Sequence, residues 1–207
     1  MTIAPDHLHA AAAIRPYVQT QPLALLLWLI ANLISAAFEF NQWQRHRAEA
    51  TNSDSGSLGL LLVCAVIGLA LLVLAPKIAP GATIRPAPVA FAVGTTIFLA
   101  GFAMRRWSET TLGRYFTFTV MTSADQPVIT TGPYRFVRHP GYTGVVLVVI
   151  GSGMVAGNWL GLTAWTLLVL TPLLYRIHIE ENALLSALGD SYRSYAVHHK
   201  RLIPLIW

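Results

Sequence analysis

The sequence predicts an all-α integral membrane protein, and three observations lead there. Of 207 residues, 55% are hydrophobic and only 11% charged, where a soluble domain carries about 25% charged residues. Five apolar runs of 17 to 19 residues stand out, at 22–38, 58–75, 88–104, 141–157 and 159–177. At about 1.5 Å of rise per residue such a run nearly matches a hydrocarbon core about 30 Å thick, and a helix satisfies its own backbone there. The third observation is that the basic residues lie mostly in the segments between the runs. The expected architecture is five transmembrane helices and a cytosolic C-terminal helical segment in a single domain, 1–207.

In chain order, the first run reads PLALLLWLIANLISAAF. Ser35-Ala36-Ala37 resembles a cleavage site, but only Arg15 supplies a firm positive charge before the run, so a retained helix is expected. The polar stretch TNSDSGS, 51–57, reads as a plain loop. The second run holds Cys64, the only cysteine, which excludes an internal disulfide or a cysteine-based metal site and reads as a small packing residue. The third run closes the N-terminal part, 1–100.

Runs four and five are parted only by Gly157-Asn158, so a tight antiparallel hairpin is expected, with Gly151, Ser152 and Gly153 allowing backbones to approach. Beyond the fifth run, IEENALLSAL continues the helix; Gly189 stops it and Asp190 can cap a last short helix, SYRSYAVHHK.

Eleven of the 14 basic residues fall in the 39–57 segment, the 105–140 segment and the C-terminal end. With five helices those share one side, which places them in the cytosol and the N-terminus outside. The net charge of +5 therefore reads as topology rather than nucleic-acid binding. The bilayer is the implied partner, and nothing in the sequence fixes an oligomeric state.

The polar material thus gathers on the cytosolic side, in three clusters. The first is Tyr134, Arg135, Arg138, His139 and Tyr142, within GPYRFVRHPGY. Pro140 holds the preceding residues extended at a helix start, where free N–H groups favour an anion such as a carboxylate. The second is Arg176, His178, Glu180 and Glu181; Arg176 and Glu180, four apart, share a helix face. The third is Tyr192, Arg193, Tyr195, His198, His199, Lys200 and Arg201, able to fold back under the bundle. His198-His199 has no third ligand at suitable spacing, so no metal is expected.

GPYRFVRHPGY followed by a helical hairpin and RIHIEENALLSALGDSYRSY resembles the isoprenylcysteine carboxyl methyltransferase family and the wider group that includes phospholipid N-methyltransferases. The resemblance covers residues 101–204, which become the catalytic region, and implies S-adenosylmethionine as cofactor and S-adenosylhomocysteine as product. It places the cofactor at Gln126, Pro127, Val128, Ile129, Tyr134, His139, Pro140, Gly141, Tyr142 and Glu180, and a substrate contact at Arg176. Arg138 and Glu181 join Arg176 as candidate catalytic residues. The implied acceptor is a lipophilic small molecule or prenylated substrate, most simply an isoprenoid acid.

Two departures bear on the acceptor: Gln126 stands where the family often has His, and His178 and Ile179 stand where it is acidic. An amine acceptor would first have to lose a proton, with His139, Glu180 or Glu181 as bases. Two further readings compete. Membrane sterol reductases that use NADPH carry a similar element, but often read HPNYxGE where this chain reads HPGYTGV. A non-enzymatic membrane protein or transporter would call for charged or broken helices at mid-membrane, which the runs lack.

Overall fold

The computed structural model describes residues 16–43, 51–52, 54, 56–117, 121–122, 126–204 and 206. Arg15, Arg45 and Arg47, used above for orientation, lie outside the described residues. Five helices dominate: α1 Pro22–Trp43, α2 Ser57–Ile78, α3 Ala87–Leu112, α4 Pro140–Ala156 and α5 Trp159–His198. The only described strands are a two-residue antiparallel pair, Thr51–Asn52 with Met121–Thr122, tying the segment before α2 to the segment before α4. Four helices are long and apolar enough to cross a membrane, α1, α2, α3 and α5; α4 is a shorter apolar helix.

Each apolar run became a helix, but α1 and α3 run on past their apolar stretches, α3 to Leu112. Hydropathy falls at Arg105 and Arg106, yet the backbone ladder is indifferent to it. Arg105 and Glu109, four apart, pair across the turn and carry α3 onward.

The helices are not equally buried. Along α1, Leu23 and Leu33 are 67% and 71% exposed, a surface that suits hydrocarbon and not water. The centre is the α3–α4 contact, lined by small residues. A Cβ on Gly151 would lie 2.4 Å from the Phe98 backbone nitrogen, and one on Gly101 would lie 2.7 Å from the Gly144 carbonyl oxygen. Gly94, Gly101, Gly144 and Gly151 thus let two backbones touch, the small-residue packing that membrane helices use in place of a hydrophobic drive. Gly151 therefore serves α3 rather than the hairpin. Gly153 faces Leu162 of α5, and Ser152 accepts a hydrogen bond from Trp165 Nε1 at 3.0 Å.

The hairpin turn is as tight as its two residues suggested. Gly157 takes φ 71°, a left-handed conformation that an L side chain resists. Asn158 is fully buried and caps α5, its Oδ1 accepting from the Leu160 and Gly161 amides at 3.0 and 3.2 Å. Its Nδ2 donates to the Ala79 carbonyl at 2.8 Å, locking the end of α2 to the hairpin. At the other end α5 bends at Gly189 (φ 55°, ψ −129°), where the sequence placed a stop, and the last helical stretch turns back toward the start of α4.

Candidate functional site

The turn Gly132–Arg135 leads through four residues into α4, whose first residue is Pro140; the extended entry expected before Pro140 is not kept throughout, since Phe136 is helical (φ −106°, ψ −42°) and His139 lies outside the extended region (φ −124°, ψ 59°). The chain beyond α5 docks on this stretch through its backbone. The Arg138 and His139 amides donate to the Lys200 and Arg201 carbonyls at 2.8 and 2.9 Å, and Thr143 Oγ1 donates to the Leu202 carbonyl at 2.8 Å. Tyr195 Oη donates to the Tyr134 carbonyl at 2.6 Å. The third sequence cluster therefore does fold back, acting largely as scaffold for the first.

Two ionic groups form within this frame. In one, Glu181 is almost fully buried and meets three basic side chains. Its Oε1 lies 2.9 Å from Arg138 Nη2 and 3.2 Å from His139 Nε2, and its Oε2 accepts from Arg201 Nε at 2.8 Å. Arg138 Nη1 also donates to the Ala196 carbonyl at 3.0 Å. In the other, Arg176 is 3% exposed. Its Nε donates to Tyr142 Oη at 3.0 Å, and Tyr142 Oη donates to Glu180 Oε2 at 2.7 Å. Arg176 Nη1 reaches Asp54 Oδ1 and, at 3.0 Å, Ser57 Oγ. The helix-face pairing of Arg176 with Glu180 thus runs through a tyrosine from the next helix.

The 51–57 stretch is not a plain loop. Asp54 Oδ2 accepts from the Leu58 amide at 3.1 Å and Oδ1 accepts from Ser57 Oγ at 2.8 Å. Burial pushes the Asp54 carboxyl up, but those hydrogen bonds and the charge of Arg176 hold it below the usual carboxylate range. The Tyr134 phenol is pushed well above its ordinary value by burial and by the charge of Glu180, so it stays protonated.

A cavity of about 360 Å³ opens between these groups and the helices. Gln126, Pro127, Val128, Ile129, Tyr134, Arg138, His139, Gly141, Tyr142, Arg176 and Glu180 all line it. Pro140 and Glu181 do not; Pro140 is buried at the first position of α4, and Glu181 is turned toward Arg138, His139 and Arg201. Leu62, Ala65, Val148, Trp165 and Val169, from α2, α4 and α5, give the cavity an apolar wall between helices.

Sequence reasoning missed Arg105, which read only as a topology marker. It lines the cavity and forms a two-pronged pair with Glu39 of α1, Nε and Nη2 each 2.8 Å from a carboxylate oxygen. Glu109 of α3 and the ring of Phe116 complete its surroundings. Arg105 and Glu109 at i, i+4 were the available signal.

Residues 92–186 match the model of the isoprenylcysteine carboxyl methyltransferase (ICMT) family. This part of the chain is ICMT-like. A probable protein-S-isoprenylcysteine O-methyltransferase of Oryza sativa subsp. indica is 32% identical over 116 residues, 55% of this chain and 61% of the rice protein. The protein-S-isoprenylcysteine O-methyltransferase of Schizosaccharomyces pombe is 37% identical over 82 residues, 40% of this chain and 35% of its own length. The solved structure of the eukaryotic intramembrane Ras methyltransferase ICMT superposes with a TM-score of 0.60 at 28% identity, covering 70% of this chain and 52% of that one. The likeness therefore spans less than two thirds of each relative. Asp54, Ser57 and Glu39 lie outside the ICMT-matched residues.

Proposed function

We propose that this chain is an S-adenosylmethionine-dependent methyltransferase acting on the carboxylate of a lipophilic, membrane-soluble acceptor of isoprenylcysteine or other isoprenoid-acid type. One observation carries the reading: a cavity that the RHPGY segment of the ICMT-like part lines with polar groups also has apolar side chains of the helices on its walls. The names of the relatives support the acceptor class.

The donor set suits such a cofactor. Glu180, 29% exposed at its side chain, offers a carboxylate to an ammonium or a ribose hydroxyl. Arg138 and the start of α4 offer donors to a carboxylate. Val128, Ile129 and the protonated Tyr134 offer an apolar, aromatic bed for an adenine. Bound there, the cofactor would supply a methyl group already activated by its sulfonium. The protein's part is then alignment and exclusion of water, and holding two reactants in line accounts for about 7–11 kcal/mol in favourable cases.

Arg176 lines the same cavity as the apolar helix residues and is assigned to the acceptor carboxylate. Glu181, turned away from the cavity, is assigned to holding Arg138 and His139. The proposal includes five spans, α4 being the fifth, with the N-terminus outside and the C-terminus and cavity mouth in the cytosol. The water-soluble cofactor then enters from the cytosol and the acceptor's tail lies against the apolar wall.

Calorimetric titration of the protein in lipid nanodiscs with S-adenosylhomocysteine and, separately, NADPH tests the cofactor. Micromolar binding of the first alone is expected; binding of NADPH alone would refute the reading. Methyl transfer from labelled cofactor to an N-acetyl S-prenylcysteine, and not to a phospholipid amine, is the expected acceptor result.

A further inference from the structure

We infer that Asp54, seconded by Ser57, is the positioning residue for Arg176, setting from outside residues 92–186 where the acceptor's charged end is held. The inference rests on the acceptor role proposed above for Arg176.

The argument starts from charge. Arg176 is a nearly buried guanidinium on α5, and a buried cation needs a partner. The nearest acid on its own helix face, Glu180, is reached only through Tyr142 Oη. The direct carboxylate partner is Asp54, 122 positions away in sequence. Ser57 Oγ accepts from the same Nη1 while donating to Asp54, closing a three-membered ring of hydrogen bonds.

Geometry then makes Asp54 a clamp rather than a loose counter-ion. The Leu58 amide donates to its carboxylate and the Ser57 amide to its carbonyl, fixing it at the start of α2. The guanidinium is planar, so holding Nη1 from α2 and Nε from Tyr142 of α4 fixes its plane. A continuous chain results: Asp54, Arg176, Tyr142, Glu180. It links the α2 end to the residue assigned to the cofactor, so the two reactants are aligned by one network.

The test uses the full chain in nanodiscs, comparing wild type with Asp54→Asn and Ser57→Ala. Asp54→Asn keeps the shape and removes the charge. Its kcat with the prenylcysteine acceptor is expected to fall about a hundredfold, the loss typical of a small misplacement of a reactant. Ser57→Ala removes two hydrogen bonds to charged groups and should lose about tenfold, the lower end for such a bond. Affinity for S-adenosylhomocysteine should change little in both, while the melting temperature of Asp54→Asn should fall because the buried Arg176 guanidinium loses its carboxylate.

A second readout does not depend on activity. In spectra of ¹⁵N-arginine-labelled protein, the Arg176 Nε–H signal, assigned by its loss in Arg176→Lys, should be sharp and slow to exchange in wild type and averaged in Asp54→Asn. An unchanged signal with unchanged kcat would overturn the inference. So would a loss of kcat matched by an equal loss of cofactor affinity, which marks a general structural role. If wild type binds no S-adenosylhomocysteine, the methyltransferase reading falls, and the Arg176 signal alone decides whether Asp54 positions it.

Discussion

Two of the buried ionic groups beside the cavity solve the same problem differently. Around Glu181, one carboxylate gathers Arg138, His139 and Arg201, which come from the RHPGY segment and the docked tail. Around Arg176, one guanidinium is gripped by Asp54 and Ser57 of the N-terminal part and by Tyr142. The first group is assembled from the segments on which the family resemblance rests and the tail docked on them; the second needs the other part of the chain. A family motif can thus carry its own scaffold for one charge while leaving its neighbour to be placed by segments outside the motif.

Removing the hub of the first group should have the largest effect on stability. Glu181→Ala leaves Arg138 and Arg201 without their shared carboxylate, and breaking a buried pair this way costs about 3–5 kcal/mol. The expected result is a large drop in detergent-solubilised melting temperature and loss of the docked tail's resistance to protease. Glu181→Gln, which keeps the shape, should lose less; equal losses would mean that charge is not what holds the tail.

Next in size is a packing change that touches neither group. Gly151→Ala forces a methyl against the Phe98 backbone, which cannot move like a side-chain tip. A cost of about 1–3 kcal/mol is expected. Gly59→Ala, on a helix face with nothing within 4 Å, is the matched control and should cost nothing measurable. Similar costs at both sites would argue against a close α3–α4 contact.

The smallest expected effect separates the two groups by pH. Because the Asp54 carboxyl is held below its ordinary 3.8 in the folded chain, its stabilisation is present above the ordinary carboxylate range. It is lost as pH falls through the lowered value. The stability difference between wild type and Asp54→Asn should therefore be flat from about pH 5 to 8 and shrink only as pH falls below the ordinary carboxylate range. A difference that varies across the neutral range would assign the charge coupling to another group.

What the sequence made legible follows from how local the physics is. The five helices were readable because hydrocarbon demands long apolar runs and self-satisfied backbones. The hairpin was readable because Gly157-Asn158 leaves no room for anything but a turn. Tyr134, His139, Tyr142 and Glu180 were expected together from the family resemblance, and all four line one cavity. Asp54 was not, because its partner is 122 positions away and TNSDSGS has the composition of any polar loop. Arg105 was misread for the same reason: an arginine at a helix end normally sets topology, and Glu39 is 66 positions distant. Helix ends were blurred where charges pair along the helix itself.

The docking of residues 200–202 on the RHPGY segment has a consequence for the order of events during synthesis. All five helices and every side chain assigned to the reaction are made before those three residues. Until they arrive, the amides of Arg138 and His139 and the carboxylate of Glu181 lack partners they have in the finished fold. The pocket therefore matures only after the five helices are made, and a chain inserted in the bilayer but stalled short of Lys200 would be a membrane protein without a finished site.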